Sequence, residues 1–182
     1  MVPQVGRSRP ARGAEHGRLA LSAGPGRAQN YTEAQAWFRK AADGGLADAQ
    51  FNLGKLYYAG HGVPQDYAQS LQWYRKAADQ GFAAAENDLG SQYANGQAVP
   101  RDDAQALQWF RKAADQGLAV AEYNVGVMYA GGRATARDMA QAQAWMEKAA
   151  AQGNAPAKTW LANNQLSDSA AAKRPAASGQ GR

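Results

Sequence analysis

Apolar residues along the chain follow a helical period that sits inside a longer repeat. Between residues 67 and 78, apolar side chains stand at Tyr67, Leu71, Tyr74 and Ala78, close to the i, i+4, i+7, i+11 spacing of one helical face. The run from Trp73 to Gly81 recurs every 36 residues, at 37–45, 73–81, 109–117 and 145–153. A fixed period of this size predicts an all-α solenoid, in which each repeat buries its apolar face against its neighbours.

Start and stop signals divide each repeat into two helices. A cap residue stands three positions before Glu or Gln at Asn30, Asp66, Asp102 and Asp138, which resembles a capping box whose second side chain reaches back to the cap. A glycine follows each of these first helices, at positions 45, 81, 117 and 153. The second helices are predicted at 46–59, 82–95 and 118–131.

Three sets of repeated residues inside these helices are assigned to packing. A glycine costs about 1 kcal/mol relative to Ala in a helix interior, so Gly54, Gly90 and Gly126 predict a close approach by a neighbouring helix. The tryptophans at 37, 73, 109 and 145 are predicted to pack between helices. The arginines at 39, 75 and 111 stand four residues before an aspartate, which predicts ion pairs along the helix rather than a basic binding surface.

The repeating unit closely resembles the Sel-one-like (Sel1) repeat, a branch of the tetratricopeptide-like helical repeats. The resemblance is carried by the run Ala49-Gln50-Phe51-Asn52-Leu53-Gly54, by Tyr57, by the Gly60-x-Gly62-Val63 turn and by the run 73–81. It implies a right-handed α-solenoid of antiparallel helix pairs that acts as a protein-binding adaptor, as in bacterial and eukaryotic signalling or quality-control complexes. In the family's frame, the repeat domain 31–165 has a half repeat at 31–45, full repeats at 46–81, 82–117 and 118–153, and a capping helix at 154–165.

The two ends of the chain differ from the repeats in composition and charge. Residues 1–30 carry +4 and residues 165–182 carry +2, which leaves −1 for residues 31–164 of the total of +5. Their Gly, Ala, Pro and Ser content predicts a disordered basic arm at 1–30 and a disordered tail at 166–182; alternatively, residues 14–30 are a decayed half repeat with a helix near 14–24. Nucleic-acid binding is not expected of the nearly neutral repeats, and that function would depend on the basic ends.

Nothing in the sequence indicates a membrane protein or an exported one. No run approaches the roughly 20 apolar residues that span a bilayer, and residues 1–30 lack the apolar run of a secretory signal. The expectation is a monomeric cytoplasmic protein, or a periplasmic or secreted one if the natural N-terminus differs. The chain has no cysteine, so disulfide bonds are excluded.

The residues that could carry catalysis are few. The histidines of the chain are His16, in the basic arm, and His61, in a turn where it is expected to be solvated. Some proteins of the resembled family are linked to penicillin binding or β-lactamase activity, which leaves a β-lactam or cell-wall enzyme as the alternative function. The chain has no Ser-x-x-Lys motif, and Lys158-Thr159-Trp160 lacks the glycine of the Lys-Thr-Gly motif. The prediction is a protein with no enzymatic activity, no cofactor and no metal.

Differences among the copies point to a binding surface on the second helix of each repeat. Positions 49, 53 and 57 and their equivalents hardly change, which marks a packed face, whereas positions 48, 51, 55 and 58 vary. In the resembled family this variable stripe lines the concave groove, and exposed aromatics there favour protein contact; the alternative is solvated surface under no constraint. Asn52, Asp88 and Asn124, beside the stripe, would bond either a peptide backbone or other groups of the repeat. The predicted binding residues are Asp48, Phe51, Asn52, Lys55, Tyr58, Asn87, Asp88, Ser91, Tyr123, Asn124 and Val127.

Overall fold

The structure is a computed structural model that describes residues 9–21 and 30–172, with side chains described for 13–20 and 30–164. Within these residues it contains nine α-helices and no β-strand. They are α1 (Arg9–Leu21), α2 (Tyr31–Asp43), α3 (Ala47–Ala59), α4 (Tyr67–Ala78), α5 (Ala83–Asn95), α6 (Asp103–Asp115), α7 (Ala119–Gly131), α8 (Met139–Ala151) and α9 (Ala155–Ala172).

The chain forms two compact units, Met1–Leu118 and Ala119–Arg182. In the first unit, α1 pairs with α2, α3 with α4 and α5 with α6, and each pair also packs against the next. In the second unit, α7 pairs with α8, and α9 packs against α8. Each helix therefore buries its apolar face mainly against its neighbours in sequence, as a repeat fold requires.

Helix α1 lies inside the segment for which disorder was predicted. The prediction of disorder is wrong for residues 9–21, and the alternative of a helix near 14–24 describes this region better. Its Gly17 lies so close to the Phe38 ring of α2 that an added Cβ would come within 2.6 Å of it, so α1 packs as a second helix does in the later repeats. Helix α9 continues to Ala172, beyond the predicted end at residue 165. The remaining residues of both ends lie outside the described part of the chain.

The predicted N-caps form, but the backbone N–H of the cap residue has a different partner from the one it has in a capping box. Asp66 accepts from the backbone N–H groups of Ala68 and Gln69, both at 2.9 Å, and Asn30, Asp102 and Asp138 each accept from the backbone N–H three residues further on. The backbone N–H of Asp66 donates to the carbonyl of Tyr57 at 2.9 Å, and those of Asp102 and Asp138 donate to Tyr93 and Tyr129. Because the cap N–H bonds the preceding helix, each turn is fixed to both helices that it joins.

The deepest contact inside each helix pair is made by the residue after the tryptophan. These residues are Phe38, Tyr74, Phe110 and Met146, all at most 4% exposed. Their partners in the later pairs are the interior glycines: an added Cβ would lie 2.6 Å from Tyr74 at Gly54 and 2.9 Å from Phe110 at Gly90. The predicted close approach at these glycines is confirmed.

The tryptophans themselves differ in how deeply they are buried. Only Trp73 is buried, at 4% exposure, whereas those at 37, 109 and 145 are half-buried. Lysines three residues further on cover the rings: Lys76 Nζ lies 4.0 Å from the Trp73 ring centroid and Lys112 Nζ lies 3.9 Å from that of Trp109. Such cation–π contacts stabilise an aromatic ring that stays in contact with water.

The ion pairs predicted for Arg39 and Arg75 do not form. Arg39 Nη2 donates to the Tyr57 hydroxyl at 2.9 Å, and Arg75 donates to the hydroxyl of Tyr93. Arg39 therefore connects α2 to α3, and Arg75 connects α4 to α5. The Asp residues four positions after these arginines are not their partners.

A second repeated contact joins a glutamine that follows α4, α6 or α8 to a residue near the start of the preceding helix, 30 positions earlier. Gln80 Nε2 donates to Gln50 Oε1 at 2.8 Å, Gln116 Nε2 to Glu86 Oε2 at 2.7 Å, and Gln152 Nε2 to Glu122 Oε2 at 2.8 Å. The acceptors Gln50, Glu86 and Glu122 are all buried. Burial raises the pKa of Glu86, and the charge of Lys112 and the bond from Gln116 offset part of that rise.

Candidate functional site

The packed face of the second helices is the one that the sequence predicted. Ala49 and Leu53 of α3 are fully buried, as are the equivalent pairs Ala85 and Leu89 in α5 and Ala121 and Val125 in α7. Part of the variable stripe remains open to solvent: Lys55 and Tyr58 are exposed, and Phe51 and Ser91 are half-buried, whereas the predicted binding residue Asn87 is buried. The constant positions therefore hold the fold, and only some of the variable positions are available for contact.

In the first unit, part of this stripe lines a pocket between α3 and α5 with α4 beneath. The pocket has a volume of about 320 Å³ and is lined by Lys55, Tyr58 and Ala59 of α3, Tyr74 of α4, and Asp88 and Ser91 of α5. Tyr74 is 2% exposed, so it forms the inner wall. Four of the predicted binding residues, Lys55, Tyr58, Asp88 and Ser91, are brought together here.

Asp88 is the anionic group of the pocket. It accepts a hydrogen bond from Asn87 Nδ2 at 3.1 Å, and Asn87 is itself only 7% exposed. Burial raises the pKa of the Asp88 carboxyl, and the bond from Asn87, the charge of Lys55 and the Tyr74 hydroxyl offset only part of this rise. Burial and the negative charge of Asp88 also raise the pKa of Tyr74, which therefore keeps its proton at neutral pH.

The aromatic side of the pocket is held by ring contacts. Phe51 lies between Tyr74 and Phe82, with centroid distances of 5.7 and 5.2 Å. Lys55 Nζ lies 5.5 Å from the Phe51 centroid. Tyr58, which is 37% exposed, makes an edge contact with Tyr67 at 5.3 Å. Phe51 thus supports the wall, while the Tyr58 ring remains accessible.

Other predicted binding residues of the first unit have partners within the protein. Asp48 pairs with Arg18 of α1 at 2.5 Å. Asn52 Nδ2 donates to the Asp48 carbonyl at 2.8 Å, inside its own helix. For Asn52, the interpretation of internal bonding describes the structure, and neither side chain lines the pocket.

The predicted residues of the second unit are placed differently. Tyr123 and Val127 pack against the buried cluster of Met146, Ala149 and Ala157, and Asn124 is half-buried. In this unit the stripe contributes to the core around α8 and α9.

The pocket residues that sequence analysis missed are Tyr74 and Ala59. Tyr74 was counted with the apolar face of α4, and its ring does pack there against Gly54. The available signal was its hydroxyl, because the equivalent positions hold Phe110 and Met146, which have none.

The histidines lie apart from the pocket. His61 is exposed, with its ring 4.5 Å from that of Tyr31, and His16 stacks on Trp37 at 4.8 Å. Across residues 9–21 and 30–172, no three His, Asp or Glu side chains are grouped as metal ligands. Over the same ranges, no helix is both long and apolar enough to cross a membrane.

Comparison with protein families gives a match over most of the chain. The Sel1 repeat model matches four times, at residues 15–46, 47–82, 83–118 and 119–154. The first match begins before residue 31, where the sequence placed the start of the repeats, and includes part of α1. No curated protein is significantly similar to the chain.

Several solved structures are similar to the chain. A protective antigen present in uropathogenic Escherichia coli strains, which displays an SLR fold, is 38% identical with a TM-score of 0.79; the match covers 84% of this chain and 32% of that one. A Sel1 repeat protein from Oxalobacter formigenes is 35% identical with a TM-score of 0.79, over 88% of this chain and 65% of the other. Helicobacter pylori cysteine rich protein B, at 22% identity and a TM-score of 0.57 over 75% of this chain and 98% of that one, shares the fold alone.

These matches confirm the predicted fold class, an all-α solenoid with a 36-residue repeat. The chain spans about a third of the length of the E. coli antigen and less than two thirds of the O. formigenes protein.

Proposed function

The chain belongs to the Sel1 repeat family, and we propose that it is a non-catalytic adaptor that binds a peptide segment of another protein in the pocket formed by α3, α4 and α5. Sel1 repeats are in general helical-repeat modules for protein interaction. The proposal adds to this general role a location, the first unit, and a kind of partner, an extended or loop segment that inserts a side chain.

The observation that carries the proposal is the convergence of variable residues on one concavity. Lys55, Tyr58, Asp88 and Ser91 come from two different repeats and line the same pocket. A cation, an anion, a hydroxyl and an accessible aromatic ring within about 320 Å³ provide both contact area and directional bonds. Pockets of this type, mostly apolar with a few placed polar groups, are the usual form of a binding site.

The arrangement of the same groups argues against catalysis. A serine nucleophile needs an adjacent base that accepts its proton, but Ser91 Oγ donates to the carbonyl of Asn87 at 3.1 Å, within its own helix. Lys55 Nζ lies over the Phe51 ring. Turnover of a chromogenic β-lactam by the purified protein would contradict the non-catalytic assignment.

Selection from a phage-displayed random peptide library tests the binding role. Peptides enriched on the wild-type protein are expected to bind Tyr58→Ala at least about tenfold more weakly, because an accessible aromatic residue in a pocket is a typical binding hot spot. The matched control is Met139→Ala in the second unit, since Met139 is 36% exposed and Tyr58 is 37% exposed. The control should bind the peptides as the wild type does. Absence of enriched peptides, or equal binding by both variants, would contradict the proposal.

A further inference from the structure

The pocket contains a carboxylate that lacks a paired cation. Among the described residues Asp88 forms no ion pair, unlike Asp48 with Arg18 and Asp103 with Arg101. Its hydrogen-bond donors, Asn87 Nδ2 and the Tyr74 hydroxyl, are both neutral. Withdrawing a carboxylate from water without an ion partner is unfavourable, so a cation that enters the pocket recovers an interaction that the free protein does not make.

The positive charge of Lys55 does not fill this role. Its Nζ is 5.5 Å from the Phe51 centroid, it forms no ion pair with Asp88 among the described residues, and it is exposed to solvent. Water and salt screen an exposed ammonium strongly. The raised pKa of Asp88 agrees with this, because burial outweighs the effect of Lys55.

The remaining walls suit a long cationic side chain. Tyr58 presents an accessible aromatic ring, and Tyr74 lies at the inner wall of the cavity. A guanidinium or ammonium group is attracted to the face of such a ring, and a guanidinium also stacks on it. A volume of about 320 Å³ lies at the small end of ligand pockets, which fits one inserted side chain rather than a large cofactor.

The same chemistry is not repeated at the equivalent positions. Asp88 corresponds to Asn52 and Asn124, which carry no charge. The copies that follow Lys55, Tyr58 and Tyr74 in the sequence are Ser91, Ala94 and Phe110. This combination of a carboxylate, a cation and an accessible aromatic ring therefore occurs once among the equivalent positions.

We propose that this pocket recognises an arginine or lysine side chain of the bound peptide, with the Asp88 carboxylate as counter-ion and the ring of Tyr58 as the aromatic wall. The inference rests on the proposed function and specifies its ligand. The partner is therefore a protein with a basic residue in an accessible segment.

The test is a titration of the full-length ¹⁵N-labelled protein, followed by ¹H–¹⁵N NMR, with single capped amino acids. The probes are the Nα-acetyl, N-methylamide derivatives of arginine, lysine, citrulline and glutamate. The arginine and lysine derivatives should shift the amide signals of α3 and α5 around Tyr58 and Ser91. Citrulline, which has the shape of arginine without its charge, should bind at least about tenfold more weakly, since a bond between charged partners is worth more than a neutral one.

Two substitutions test the roles of the Asp88 and Lys55 charges, and each introduces the residue found at an equivalent position of another repeat. Asp88→Asn, which matches Asn52 and Asn124, should abolish the response to arginine. Lys55→Ser, which matches Ser91, should strengthen arginine binding a few-fold, because it removes a nearby like charge. If the glutamate derivative binds instead and Lys55→Ser weakens it, the pocket is anion-selective and the inference is wrong while peptide binding stands. A response that Asp88→Asn leaves unchanged, or no response to either cation, also overturns the inference.

The capped amino acids separate this inference from the proposed function. Peptide enrichment with no preference for Arg or Lys, together with no NMR response, overturns the inference alone. Failure of the peptide library with a clear Asp88-dependent response to arginine overturns the adaptor role and retains the cation site.

Discussion

Contacts in the interior of the first unit recur from repeat to repeat, whereas the residues of its pocket do not recur as a set. Tyr74 belongs to both regions. In the interior, the contact of Gly54 with Tyr74 is repeated by Gly90 with Phe110, and the Gln80–Gln50 bond is repeated by Gln116–Glu86. In the pocket, Lys55 and Tyr58 of α3 face Asp88 and Ser91 of α5, and no equivalent set recurs in the sequence. The ring of Tyr74 is part of the interior, and its hydroxyl is part of the pocket.

The difference separates what builds the repeat from what it recognises. Stacked repeats require the same close contact at every junction, so substitutions there affect stability. A binding site requires chemistry suited to one partner, so substitutions there affect affinity. The largest loss of stability is therefore expected for substitutions in the interior, and the smallest for substitutions in the pocket.

The largest effect is expected for Phe110→Ala. The ring is 4% exposed and packs against Gly90, so its removal leaves a cavity that should cost about 3–5 kcal/mol of unfolding free energy. The adjacent Trp109 is half-buried beneath Lys112, and Trp109→Ala should cost roughly 1–2 kcal/mol. Urea unfolding followed by circular dichroism measures both. An equal or larger loss for Trp109→Ala would show that Trp109, rather than Phe110, is the main core residue of this helix.

A smaller loss is expected when the close helix approach is obstructed. The added methyl group of Gly90→Ala would lie 2.9 Å from two atoms of the Phe110 ring, and such overpacking costs about 1–3 kcal/mol. The equivalent Gly126→Ala meets the flexible end of Met146, with Cε at 2.9 Å, which can move aside. The gain in helix propensity, about 1 kcal/mol, should then leave Gly126→Ala near the wild-type stability. Equal losses for both variants would show that ring rigidity is not the cause.

A still smaller, pH-dependent effect is expected for Glu86→Gln. Burial raises the pKa of Glu86 above its ordinary 4.5. The protonated carboxyl is therefore favoured by folding, and its stabilisation is complete below pH 4.5 and is lost as the pH rises through the raised pKa. The variant has no such titration and reproduces the Gln80–Gln50 pair, so it should be slightly more stable than wild type at pH 7. The advantage should shrink towards pH 4.5. Urea midpoints measured across this range test the sign, and an advantage that grows on acidification would contradict it.

Much of the fold could be predicted because local signals repeat. The caps at Asp66, Asp102 and Asp138 and the interior glycines each appear in register several times, so one interpretation could be checked against its copies. The errors came where a residue has two favourable partners. The sequence shows that Asp79 is within reach of Arg75, but it does not show that the Tyr93 hydroxyl is nearer. Likewise, composition favoured disorder for residues 1–30, whereas the contact of Gly17 with Phe38 is a tertiary one.

The pocket could be predicted only in part. Variation among copies identified Lys55, Tyr58, Asp88 and Ser91, and the structure places them around one cavity. Their neighbours in the same stripe behave otherwise, because Asp48 pairs with Arg18 and Tyr123 packs on the core of α8 and α9. A one-dimensional pattern gives the face of a helix, but which part of that face forms a cavity depends on the helices beside it.

We expect that the pocket can be changed without changing the stability of the repeats around it. The most direct measurement compares the wild type with the double variant Tyr58→Ala, Asp88→Asn for thermal unfolding and for affinity to a library-selected peptide. Ala94 is the equivalent of Tyr58, and Asn52 and Asn124 are the equivalents of Asp88, so both replacements are compatible with the repeat. We predict an unfolding free energy within about 0.5 kcal/mol of wild type and a loss of binding by at least about a hundredfold. A large fall in stability, or full retention of peptide binding, would contradict the account.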